Sequence, residues 1–63
     1  MTANTRWQYQ VVDIRLKIFG NGKQHAERLQ EELNRQGLQG WELVSLLPLP
    51  GTLCYRASFK RAA

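Results

Sequence analysis

A chain of 63 residues and 7.3 kDa supplies one small domain, since at this length only about 60% of the unfolded surface is buried on folding and no material remains for a second core. With 43% hydrophobic and 22% charged residues it has an ordinary soluble, globular composition, and its longest uncharged stretch, Leu43 to Tyr55, contains two prolines and falls short of the roughly 20 apolar residues of a bilayer span. A formal charge of +4 and a pI near 9.9 raise anionic partners as a question, but composition names no reaction and no ligand.

The opening Met1 to Arg6 lacks the apolar segment of a secretory signal, and Cys54 is the only cysteine, so the expectation is a cytoplasmic protein without an internal disulfide. Trp7 to Ile18 is rich in β-branched and aromatic residues and alternates apolar with polar, which predicts a strand. Its alternation changes phase midway: Trp7, Tyr9 and Val11 share one parity, and Val12, Ile14, Leu16 and Ile18 the other. Either a bulge at Val11-Val12 brings both sets to one face, or the strand is straight and Trp7, Tyr9 and Val11 stand on the face opposite the core.

Phe19-Gly20-Asn21-Gly22 ends the strand. Asn21 with Gln24 three residues on reads as a capping box, and Lys23 to Gln36 is composed of helix formers. Ala26, Leu29 and Leu33 form a narrow apolar stripe, while Glu27, Arg28, Glu31, Glu32 and Arg35 read as a solvated face. Gly37 at C′ would close the helix in a Schellman motif, with Leu33 and Leu38 as its apolar pair. Trp41 to Leu47 follows as a strand apolar on both faces, Pro48-Leu49-Pro50-Gly51 as a connection, and Leu53 to Arg61 as a strand. In that last strand Leu53, Tyr55, Ala57 and Phe59 face one way, and Cys54, Arg56, Ser58 and Lys60 the other. Ala62 and Ala63 are expected to fray, which leaves an ordered core of about residues 7–61 within a single domain spanning 1–63.

The fold class is therefore α+β, a β-α-β-β domain with a three-stranded, mainly antiparallel sheet and one helix on one face. Pairing of the first strand with the third gives the order 1-3-2 and is preferred over a parallel crossover. One helix covers one side only. Apolar burial at about 25 cal/mol per Å² and ordering entropy of roughly 1.5 kcal/mol per residue nearly cancel at this size. Disulfides are impossible with one cysteine, and one Cys with one His makes no structural zinc cage, so self-association is the expected supplement. The expected oligomer interface is Trp7, Tyr9, Val11, Val44 and Leu46 on the uncovered face.

Trp7-Gln8-Tyr9-Gln10-Val11-Val12, the helix ending in Leu33 and Gly37, then Gly40-Trp41-Glu42-Leu43-Val44-Ser45 and a closing Phe59-Lys60-Arg61 together resemble the small bacterial and phage proteins grouped as domain of unknown function 4177. The likeness runs from Trp7 to Arg61. It implies a compact β-α-β-β domain, often standing alone, and no activity.

Candidate chemistry is sparse. Gly20-Asn21-Gly22-Lys23 sits between strand and helix as a phosphate-cradling loop would, but His25 stands where a third glycine is needed, so an ordinary turn and cap is the better reading. His25 has no neighbouring Cys, Asp or Ser in sequence and reads as a surface residue. Cys54 lacks an evident base and reads as a small half-buried side chain. Trp41 is expected to seal the helix-sheet junction, with Glu42 as a rim charge or a cap partner. No catalytic residue, metal site or cofactor is expected, and the chain is read as a non-enzyme. Arg56, Lys60, Arg15 and Lys17 beside Trp7 and Tyr9 would combine cations with stacking rings, a platform for a small anionic ligand such as a nucleotide or for single-stranded nucleic acid. The leading expectation is a homo-oligomeric binding module; these two ligand readings are its alternatives.

Overall fold

The computed structural model describes residues 6–63. Its elements are β1 (Trp7–Arg15), α1 (Gly22–Leu38), β2 (Glu42–Pro48) and β3 (Cys54–Ala62). The three strands form one antiparallel sheet in the order β1-β3-β2, with the helix on one side. β3 takes the centre because it alternates most cleanly, so both of its edges can pair while one face stays apolar.

β1 keeps unbroken register with β3, from Trp7 opposite Ala62 to Arg15 opposite Cys54. The straight-strand alternative is thus the one adopted: Val12 and Ile14 face the helix, while Trp7, Tyr9 and Val11 lie on the far side. The bulge occurs instead in β2, where Leu43 pairs with Phe59 but Ser45 pairs with Ser58, leaving Val44 as the extra residue. Beyond it the parity flips, which turns Leu46 toward the helix and Leu47 away from it.

The core is small. Ile14, Ala57 and Phe59 are buried, with Val12, Leu29, Leu33, Trp41 and Leu46 packed around them. Trp41 precedes β2 rather than opening it, and the Arg61 guanidinium stacks 4.2 Å from its ring centroid while donating to the Gln39 carbonyl at 2.8 Å and to Gln8 Oε1 at 3.0 Å. This seals the helix-sheet junction as expected of an indole there.

Several boundaries differ from the pattern. β1 ends at Arg15, three residues early, because the chain turns at Lys17, whose carbonyl accepts from Gly20 N–H and from His25 Nε2. Ile18 and Phe19 therefore project from a turn into solvent. Ala62 does not fray but pairs with Trp7, and Ala63 N–H donates to the Arg6 carbonyl at 2.9 Å.

At the start of α1 the capping box forms as read: Asn21 Oδ1 accepts from Gln24 N–H at 2.9 Å, and Gln24 Oε1 accepts from Asn21 N–H at 3.0 Å. The helix does not stop at Gly37. It runs to Leu38 with Gln39 as C-cap, and Gly40 takes φ +88°. Trp41 N–H donates to the Gln36 carbonyl and Gly40 N–H to that of Gly37, the two bonds of a Schellman motif placed three residues later than Gly37 would have it. The left-handed position went to the glycine that leads directly into Trp41.

Two glycines three residues apart should therefore respond oppositely. Gly37→Ala, in a helix with nothing within 4 Å of the added methyl, should stabilise by about 0.5–1 kcal/mol, whereas Gly40→Ala should cost about 1–2 kcal/mol for its left-handed backbone. Urea unfolding at fixed protein concentration checks both; equal signs would contradict this helix terminus.

Candidate interaction face

The strand register places two sets of side chains on the side of the sheet away from the helix. β1 contributes Trp7, Tyr9, Val11, Asp13 and Arg15, and β3 contributes Cys54, Arg56, Ser58 and Lys60. From β2 come Glu42, opposite Lys60, then Ser45 and Leu47, with the bulged Val44 among them. No element of the described residues covers this side. Tyr9 is 72% exposed, Val11 61%, Leu47 59% and Val44 55%.

The charges on this face pair with one another. Arg56 Nε and Nη2 donate to the two carboxylate oxygens of Asp13 at 2.9 and 3.3 Å across the β1–β3 pair. That fork holds the Asp13 carboxyl below its usual range and raises Arg56 above its own. Lys60 Nζ lies 4.5 Å from the centroid of the Trp7 ring and 3.8 Å from Glu42 Oε2. With these pairs made, Arg15 is the one further cation of this face among the described residues.

The opposite side hides a polar spine that the periodicity did not suggest. Glu32, read as part of a solvated face, is only 6% exposed and Gln36 is also buried. Gln10 Nε2 donates to Gln36 Oε1 at 2.6 Å, Gln36 Nε2 donates to Glu32 Oε2 at 3.1 Å, and Arg28 and Arg35 each approach Glu32 Oε1 at 3.3 Å. The Gln36 amide and the two guanidiniums hold the Glu32 carboxyl below its ordinary range against the opposing effect of burial. The one available signal was Gln10, a polar residue whose parity in β1 matches Val12 and Ile14.

Five of the six candidate ligand residues, Arg56, Lys60, Arg15, Trp7 and Tyr9, share the open face. Lys17 does not: it lies beyond the end of β1 with its carbonyl tied to His25. Of the candidate interface residues, Trp7, Tyr9, Val11 and Val44 are exposed, but Leu46 packs on the core because the β2 bulge reverses its side, and Leu47 takes the outward place. His25 is half-buried rather than on the surface and borders a cleft of about 380 Å³ together with Leu16, Leu29, Cys54 and Tyr55. Its Nε2 donates to the Lys17 carbonyl at 2.9 Å, which fixes the tautomer of the ring. Asn21 is occupied as the helix cap.

The fold and this face define a class of protein: a minimal β-α-β-β sheet with one helix and one bare side. The chain belongs to the family described as Domain of unknown function (DUF4177), whose model matches residues 7–61. No curated protein and no solved structure matches it. Among the described residues no helix is long and apolar enough to cross a membrane.

Because the Glu32 carboxyl is lowered from its usual 4.5, its ionised form stabilises the fold fully above that value, and this contribution is lost as pH falls through the lowered folded value. Glu32→Gln should therefore lower stability at neutral pH and flatten the loss between about pH 5 and 3. Thermal unfolding across that range checks this; parallel curves for the two proteins would contradict it.

Proposed function

We propose that the chain is a non-enzymatic interaction module that assembles with further copies of itself through the open sheet face. The observation that carries this is the grouping of Tyr9, Val11, Val44 and Leu47, exposed on one uncovered surface beside ion pairs that satisfy each other. These apolar side chains stand on the two outer strands, with the Arg56, Ser58 and Lys60 row of β3 between them, and leave exposed apolar area that association would bury. The charge pattern supports a like partner: with Asp13 matched to Arg56 and Glu42 to Lys60, two such faces meet with little net repulsion. A domain whose buried apolar side chains are Ile14, Ala57 and Phe59 gains from the same contact the burial its own core lacks.

A small anionic ligand such as a nucleotide, or single-stranded nucleic acid, held by Arg56, Lys60 and Arg15 with Trp7 and Tyr9, has less support. Arg56 already gives its fork to Asp13, and Lys60 already lies over the Trp7 ring. An arriving phosphate would compete with both contacts. The proposed module works in the cytoplasm of a bacterium or its phage, a setting that suits a lone free thiol.

Sedimentation equilibrium at low micromolar concentration should give a mass that is a multiple of 7.3 kDa. The double variant Val44→Asp, Leu47→Asp, remote from the β1 edge, should weaken association at least about tenfold while retaining the circular dichroism of the fold. A monodisperse 7.3 kDa species would remove the reading. Nucleotide binding abolished by Lys60→Ala would favour the anionic ligand instead.

A further inference from the structure

β3 occupies the middle of the sheet, so β1 and β2 each present one backbone edge without a strand partner among the described residues. The two edges differ in their protection. β2 is short, is interrupted by the bulge at Val44 and ends on Pro48, features that blunt an edge against further pairing. β1 runs for 9 residues in continuous register and contains neither proline nor glycine. Among the described residues the helix packs more on β2 than on β1.

Bonds at the ends of β1 establish which of its backbone groups are unused. Leu16 N–H donates to the Leu53 carbonyl at 2.8 Å, and the Arg6 carbonyl accepts from Ala63 N–H at 2.9 Å. In an antiparallel ladder the residues bonded to a neighbour alternate with those aimed away from it. Even-numbered residues of β1 therefore serve β3, and Trp7, Tyr9, Val11, Asp13 and Arg15 direct N–H and C=O outward.

We infer that β1 of one copy pairs antiparallel with β1 of a second copy about a two-fold axis at Val11, joining two sheets into one continuous sheet. Val11 is the midpoint of Trp7–Arg15, so this register overlaps the whole strand with itself and gives every outward N–H and C=O a partner. The side chains agree with it. Trp7 meets the second copy's Arg15, a cation beside an indole ring. Tyr9 meets the second copy's Asp13, a phenol donor beside a carboxylate, and Val11 meets Val11. No like charges oppose each other. A slip of two residues sets either Trp7 or Val11 against Asp13 and strands the ends.

The axis is perpendicular to the sheet, so both helices fall on one side and the two open faces merge. Strand spacing of about 4.8 Å and rise of about 3.4 Å per residue give one open face a projected area on the order of 400 Å². Joined at β1 the pair offers about twice that, close to the roughly 800 Å² that each partner of a stable interface buries. The edge contact uses backbone groups and stands independently of the face-to-face reading.

Amide hydrogen exchange of the full chain, followed by NMR across the concentration range of assembly, separates the two. The amides of Tyr9, Val11 and Asp13 should be at least about tenfold better protected in the assembled protein than in the dilute one. Those of Gln10, Val12 and Ile14 should be protected in both. Val11→Pro removes the outward N–H at the two-fold axis without touching the ladder to β3, and should abolish the added protection at Tyr9 and Asp13 and halve the assembled mass; Val11→Thr should preserve both. If the proline variant does not fold, the wild-type exchange pattern decides. Free exchange at Tyr9 and Asp13 in the assembled wild type, a folded proline variant that assembles like Val11→Thr, or a strictly monomeric wild type each overturns the edge pairing. Free exchange combined with assembly lost on Val44→Asp, Leu47→Asp would overturn it while leaving the face-to-face contact standing.

Discussion

One amphipathic helix cannot cover both sides of a sheet, and the rest of this molecule follows from that constraint. α1 lies over Ile14, Ala57, Phe59 and their neighbours, and among the described residues no second layer lies on the other side. The open face is not designed as an ordinary solvated one. Along β1 it sets Tyr9 and Val11 ahead of Asp13 and Arg15, and on β2 it carries Val44 and Leu47, so that Asp13 and Arg56 satisfy each other while the apolar groups are left wet.

The same economy governs the electrostatics. A chain with formal charge +4 invites a search for a cationic surface, yet on the sheet the carboxylates of Asp13 and Glu42 stand beside the cations of Arg56 and Lys60. The helix is neutral overall, with Lys23, Arg28 and Arg35 set against Glu27, Glu31 and Glu32, so the basic excess rests on Arg6, Arg15, Lys17 and Arg61. Net charge thus says little about which partner fits a given face; pairing across strands, set by register, decides it.

The covered side is also less simple than its periodicity. The apolar stripe of Ala26, Leu29 and Leu33 is too narrow to fill the helix-sheet interface, and Glu32 with Gln36 completes it. Burial of a carboxylate is tolerated there because its oxygens receive an amide and two guanidiniums, whose long stems reach over the helix surface. Gln10 links this spine to the sheet, so the helix is oriented by hydrogen bonds as well as by packing.

The antiparallel β-α-β-β layout, the capping box at Asn21, the two faces of β3 and the family were all legible in the residues themselves, since each rests on period, turn chemistry or motif within a few positions. Whether β1 is kinked or straight was not: the phase change at Val11-Val12 fits both, and only pairing with all of β3 selects one. The terminus of α1 was misplaced because Gly37 and Gly40 are equally permissive locally, and the choice fell to the position that lets Trp41 meet the core and Arg61. Leu46 and Leu47 exchanged sides because a bulge is a mismatch between two strands, invisible in either strand alone. Local sequence determined which elements form; long-range pairing decided which side chains face water, because facing is a relation between segments and has no value for one segment by itself.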